Sequence, residues 1–129
     1  MSGDGLHGVN VYYFWGDGCP VCAQQRVFLD WLVENYPEVE VHDFEVYYEI
    51  PNRELLEALS EAFGEPVRAV PVTFIGEQAW IGFSQTIATQ MLASIERYLT
   101  YEAPDAADLI EAELRERFLP EELEEEEQP

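Results

Sequence analysis

Lysine is absent from this chain, cysteine occurs only twice, and no apolar run approaches the roughly 18 to 20 residues of a membrane span. Against six basic residues, all arginine, stand 27 acidic ones, giving a formal net charge of −21 over 129 residues. A field of that sign opposes nucleic acid and anionic lipid surfaces as partners. The excess is spread along the chain: residues 1–102 carry a net −12 and residues 103–129 a net −9. With two thiols, His7 and His42 and no recognisable ligand spacing among them, a four-ligand zinc site is not expected and the metal assignment is none. Ala23 follows the second cysteine where haem attachment needs histidine. Met1-Ser2-Gly3-Asp4-Gly5 lacks the charged and apolar regions of a secretory signal. As it stands the chain is therefore expected to be cytoplasmic with no direct membrane insertion; a chain cut from a longer protein would leave an extracytoplasmic location open.

The two cysteines sit together in Cys19-Pro20-Val21-Cys22. Upstream, Val9-Asn10-Val11-Tyr12-Tyr13-Phe14-Trp15 is rich in the β-branched and aromatic types of a buried strand, and Gly16-Asp17-Gly18 breaks it. Downstream, residues 23–36 carry apolar side chains at 23, 27, 28, 31 and 32, which predicts a helix burying that stripe. The order strand, tight loop, CxxC, helix places the thiols at a helix N-terminus, where unpaired backbone N–H groups and the macrodipole stabilise an anion. Thiolates so placed commonly form at pKa values of roughly 3.5 to 7.5 instead of about 8.5. Cys19, nearer the loop, is the expected nucleophile. Cys22, one turn further in, is the expected resolving thiol, which attacks the mixed disulfide and closes a Cys19–Cys22 bond. Pro20 suits the first helical turn, which does not use its missing N–H.

Further along, Val39-Glu40-Val41-His42-Asp43-Phe44-Glu45-Val46 reads as a second strand with a slip or a two-sided environment near its middle. A helix is predicted over Asn52–Phe63, with its stripe at 55, 56, 59, 62 and 63, Asn52 as N-cap, and Gly64 and Pro66 ending it. Val72-Thr73-Phe74-Ile75 and Ala79-Trp80-Ile81-Gly82 read as a hairpin. Ser84 then caps a helix with Ile87, Met91, Ile95 and Leu99 on one face.

Cys19-Pro20-Val21-Cys22 followed some fifty residues later by Val70-Pro71-Val72-Thr73-Phe74-Ile75 resembles the thioredoxin-like superfamily over about residues 9 to 100. The resemblance implies an α/β thioredoxin fold, β-α-β-α-β-β-α, with a mixed central sheet flanked by helices and an extra C-terminal helix. It implies a cis Pro71 facing the CxxC, with Val70 pairing an extended substrate. Ile81-Gly82-Phe83-Ser84 is similar to the glutathione-gripping stretch of glutaredoxins, with Phe83 in place of a second glycine. Phe14-Trp15-Gly16 is similar to the thioredoxin approach to its active site, with Tyr13 where thioredoxin has a buried acid and Gly18 where it has a tryptophan. The overall pattern also resembles thioredoxin-like domains joined to multi-pass membrane redox proteins.

The resulting expectation is a thiol-disulfide oxidoreductase acting through Cys19 and Cys22 on protein disulfides or dithiols, supplied by an upstream reductase or membrane electron donor. Trp15, Gly18, Pro20, Val21, Val70, Pro71, Gly82 and Phe83 are the expected substrate contacts. No cofactor is expected beyond the redox-active disulfide, with glutathione left open. An electron-relay or interaction domain serving a membrane redox partner, and a glutathione-dependent glutaredoxin, stay open as alternatives, as does the oligomeric state. The expected organisation is a lead-in (1–8), a thioredoxin-like domain (9–102), an amphipathic helix (103–119) with Ala107, Ile110, Leu114 and Phe118 on one face, and an acidic tail or linker (120–129).

Overall fold

In the computed structural model, which describes residues 6–66, 69–102 and 104–119, four strands form one mixed sheet. Strand β1 (Val9–Trp15) is followed by α1 (Pro20–Asn35), β2 (Val39–Glu45), α2 (Asn52–Phe63), β3 (Val72–Ile75), β4 (Gln78–Ile81) and α3 (Gln85–Thr100). The sheet order is β2-β1-β3-β4. β1 pairs parallel with β2 and antiparallel with β3, and β3 pairs antiparallel with β4. This is the expected thioredoxin fold.

β1 is central and covered on both faces, which is why both parities of its sequence are apolar. Val9, Val11 and Tyr13 point to one face, where Leu29 and Leu32 of α1 and Met91, Ile95 and Leu99 of α3 cover them. Tyr12 and Phe14 point to the other face, under Leu55, Leu56 and Leu59 of α2. β2 pairs with β1 in continuous register from Val9↔Val39 to Trp15↔Glu45. Its mixed pattern is thus two-sided and contains no slip, with Val39 and Val41 packed toward the first face and Phe44 toward the second.

Three local expectations need correction. The buried stripe of α1 is Cys22, Gln25, Leu29 and Leu32, while Val27 is 70% and Trp31 44% exposed. Cys22 sets the phase by pointing inward, and Gln25 can occupy the interior because its Nε2 donates to Thr73 Oγ1 at 2.7 Å. Asn52 does not cap α2. The N-cap is Pro51 without a side-chain bond, and Asn52 Nδ2 instead donates to the Glu45 carbonyl at 2.8 Å. On the same helix Ala62 is exposed and Ser60 is buried. The predicted end does appear, with Gly64 left-handed at φ 70°.

The C-terminal segment is a 3-10 turn, Ala106–Leu109, followed by a short helix α4, Ala112–Phe118, so the stretch expected as one helix is broken at 110–111. Ala106, Ala107 and Ile110 are buried on the second face, with Leu114 and Phe118 packed at its margin. Asp105 caps the turn by accepting from Ala107 N at 3.0 Å. It also accepts from Asn10 Nδ2 at 2.7 Å and from the Tyr12 hydroxyl at 2.6 Å, tying the segment to β1. The expected acidic tail and the first five residues lie outside the described residues. Among the described residues no helix is long and apolar enough to cross a membrane.

Candidate dithiol site

The register places Trp15 opposite Glu45, Phe14 opposite Val72, and Val72 opposite Ile81. Residues 16–19, 46–51, 69–71 and 82–84 therefore all emerge at one end of the sheet. There Cys19 and Cys22 are joined as a disulfide, with their Cα atoms 5.2 Å apart. Cys19 is the N-cap of α1 in an extended conformation. Its Sγ accepts the Cys22 amide proton at 3.1 Å, so a helix-terminal N–H is already directed at this sulfur. Cys19 is half-buried and Cys22 is 2% exposed. That asymmetry leaves the first sulfur the more approachable.

The approach to Cys19 is a tight turn closed by its N–H on the Gly16 carbonyl at 3.0 Å. Gly18 takes φ 92°, a region that side-chain-bearing residues rarely enter. Pro20 stands in the first turn of α1, and Val21 is 38% exposed. The Val70–Pro71 peptide is cis. The Pro71 carbonyl accepts from Gly82 N at 2.7 Å, linking the loops before β3 and after β4.

Two expected contacts are engaged within the fold. Phe83 packs against Phe28 with ring centroids 5.6 Å apart and is half-buried, lining a groove between α1 and α3. Trp15 Nε1 donates to Asp43 at 3.0 Å. Arg26 pairs with the same carboxylate at 3.0 Å and lies 5.6 Å from the Trp15 ring. Trp80 is buried, its Nε1 donating to Gln90. His42 stacks on Tyr12 and meets Asn10, and the His7 amide donates to Leu99, so both histidines act in packing and backbone contacts.

Beneath the dithiol, the Tyr13 hydroxyl donates to the Cys22 carbonyl at 2.6 Å. Burial pushes its pKa up to about 12, against the opposing pull of Arg26 and with Asp43 and Asp30 adding to the rise. The position where the thioredoxin pattern has an acid thus holds a donor that stays protonated through the neutral range. Sequence reasoning missed Gln25 with Thr73, Arg26 with Asp43, and Glu45, which accepts four backbone amides. Of these only Thr73 stands in a motif, at one of its variable positions. Gln25 falls outside the apolar stripe read from the sequence, so nothing in the pattern marked it as buried.

Among the described residues no group of three or more candidate ligands could hold a metal ion. No protein-family profile and no curated protein matches the sequence. Solved structures do. Mitochondrial thioredoxin 3 from Saccharomyces cerevisiae, in its oxidised form, aligns at 20% identity with a TM-score of 0.52, over 70% of this chain and 79% of that one. Thioredoxin O2 from Arabidopsis thaliana, also oxidised, aligns at 16% and 0.50, over 74% and 77%. A Chlorobium tepidum protein provisionally named thiol:disulfide interchange protein DsbE aligns at 15% and 0.55, over 74% and 83%. The chain is a thioredoxin-fold protein carrying a CxxC disulfide at the end of its central strand.

Proposed function

We propose that this protein is a thiol-disulfide oxidoreductase in which Cys19 attacks and Cys22 resolves. The observation that carries the reading is Cys19 as the N-cap of α1, its sulfur accepting a helix-terminal N–H and bonded to the buried Cys22. In the reducing direction, the Cys19 thiolate attacks one sulfur of a partner disulfide and the partner's other sulfur leaves as a thiolate. The Cys22 thiolate then attacks Cys19, the mixed disulfide breaks, and the partner's second sulfur departs. Two electrons pass to the partner, and its two thiolates take up the protons released by the dithiol. Val70 and Pro71, with Trp15, Gly18, Pro20, Val21, Gly82 and Phe83, border the partner segment. The partners are a protein disulfide or dithiol and an upstream reductase or membrane electron donor.

The test is trapping. Cys22→Ser accumulates a mixed disulfide on Cys19 when mixed with a disulfide protein such as insulin, and Cys19→Ser accumulates little. Equal trapping by both variants overturns the roles, and failure of the wild-type dithiol to reduce insulin counts against general oxidoreductase activity.

A further inference from the structure

We infer that Glu45 is a positioning residue for Cys19, clamping the turn that delivers the thiol to the neighbouring loop 46–49 as one unit. Its role in reactivity rests on the oxidoreductase reading above; its geometry does not. Glu45 is the last residue of β2, directly opposite Trp15. One carboxylate oxygen, Oε2, accepts from Asp17 N at 2.8 Å and from Tyr47 N at 3.0 Å. The other, Oε1, accepts from Tyr48 N at 2.9 Å and from Glu49 N at 3.0 Å. Asp17 lies inside the turn closed by Cys19 N on Gly16, so the bridge made by Oε2 reaches the residues that set the Cys19 backbone.

Further contacts secure the same two segments. Val46 N donates to the Trp15 carbonyl at 2.8 Å, carrying the β1–β2 ladder to its end. A Cβ added to Gly16 would fall on the Tyr47 ring, so that ring lies directly against the Gly16 backbone. From α2, Arg53 donates to the carbonyls of Val46 at 2.7 Å and Tyr47 at 3.1 Å. Beyond Val46 the loop leaves the ladder, and Glu45 takes the amides of residues 47–49 while Arg53 of α2 takes the carbonyls of Val46 and Tyr47. Successive amides converging in this way form an anion-binding concavity. Here the chain supplies its own anion, and four donors from two segments require the two oxygens of a carboxylate.

The link to chemistry is the Cys22 amide on Cys19 Sγ at 3.1 Å. That bond favours the thiolate only while the turn holds Cys19 in its N-cap conformation. Releasing Asp17 frees the turn, lets the sulfur leave the amide and lowers the thiolate fraction at neutral pH.

The experiment is alkylation of reduced Cys19 at pH 7 by iodoacetamide, with amide hydrogen exchange at Asp17 and residues 47–49, in the full chain. Glu45→Ala is expected to slow alkylation by about threefold to tenfold, the scale of one ordinary net hydrogen bond, here the Cys22 amide on Cys19 Sγ, and to accelerate exchange at those amides. Glu45→Gln, which keeps one of the two acceptor oxygens, falls between it and wild type. Added formate, entering the vacated concavity, restores part of the rate in Glu45→Ala and leaves wild type unchanged. Leu114→Ala, remote on α4, is the control for general loss of stability. An unchanged alkylation rate in Glu45→Ala overturns the proposal, and so does a slower rate that Leu114→Ala reproduces and formate does not restore. The wild-type rate separates the two claims. A free-cysteine rate there overturns the oxidoreductase reading together with the role of Glu45, whereas a fast wild-type rate unaffected by Glu45→Ala overturns the role of Glu45 alone.

Discussion

The two faces of the sheet differ in how their deepest side chains are engaged, although both carry aromatics. Under α2 phenylalanine rings pack on one another: Phe14 stacks on Phe44 at 5.1 Å, meets Phe74 edge-on at 5.9 Å, and Phe63 lies 4.9 Å from Phe74. Under α1, where the dithiol sits, polar groups enter the interior. Gln25 and Thr73 are both wholly buried, and the Tyr13 hydroxyl holds the Cys22 carbonyl. The first set of contacts is apolar, while the second ties α1 to β3 and β1 through hydrogen bonds beside the two sulfurs.

If that division is real, stability and reactivity should separate by face. The largest stability effect is expected at Phe74, which is 0% exposed on the α2 side. Phe74→Ala should cost about 3–5 kcal/mol in urea unfolding, with Cys19 in the folded fraction still reacting at the wild-type rate. A matching loss of thiol reactivity would dissolve the comparison.

Next comes the buried polar pair on the dithiol side. Gln25→Leu should cost about 1–2 kcal/mol because it takes the donor from Thr73, and adding Thr73→Val should recover at least half of that. The recovery is expected because Gln25 Oε1 meets no donor among the described residues, so the amide already carries an unpaired atom. A double variant as unstable as the sum of the singles would show that the pair is not the unit we describe.

The C-terminal segment should contribute about 1 kcal/mol through Asp105, read as the loss of unfolding free energy in Asp105→Ala. The variant breaks the turn cap and the ties to Asn10 and Tyr12 together. A change within error would mean that the segment is held by Ala106, Ala107 and Ile110 alone.

The smallest effect is expected from pH. Partial desolvation raises the Glu45 carboxyl, but the amides of Asp17, Tyr48, Glu49 and Tyr47 outweigh it and hold the group below its ordinary value. A depressed carboxylate stabilises the fold above its unfolded pKa and loses that contribution as pH falls through the folded one. Protection of the Asp17 amide should therefore survive through the ordinary glutamate range and fade only below it. Fading at the ordinary value would mean that the four amides do not act together.

How far the sequence carried the description also divides by region. The element order and the strand ends were readable because β1 and β3 are apolar on both parities and glycines mark the breaks at 16, 18, 64 and 76. The dithiol was readable because CxxC is contiguous. The phase of α1 was not, since Val27 and Trp31 look like core by type and are exposed, while Gln25 looks like surface and is buried. Only a partner 48 residues away, Thr73, makes that burial tolerable. Glu45 was invisible for a related reason. Its partners are backbone amides, which every residue has, so no side-chain pattern announces a carboxylate that binds them.

The most direct measurement is the pH dependence of Cys19 alkylation in reduced Cys22→Ser, where one thiol remains. A helix-terminal thiolate predicts a single ionisation well below the ordinary cysteine value of about 8.5. A rate that climbs only through that ordinary value would contradict the account, because the amide directed at Cys19 would then do nothing for its charge.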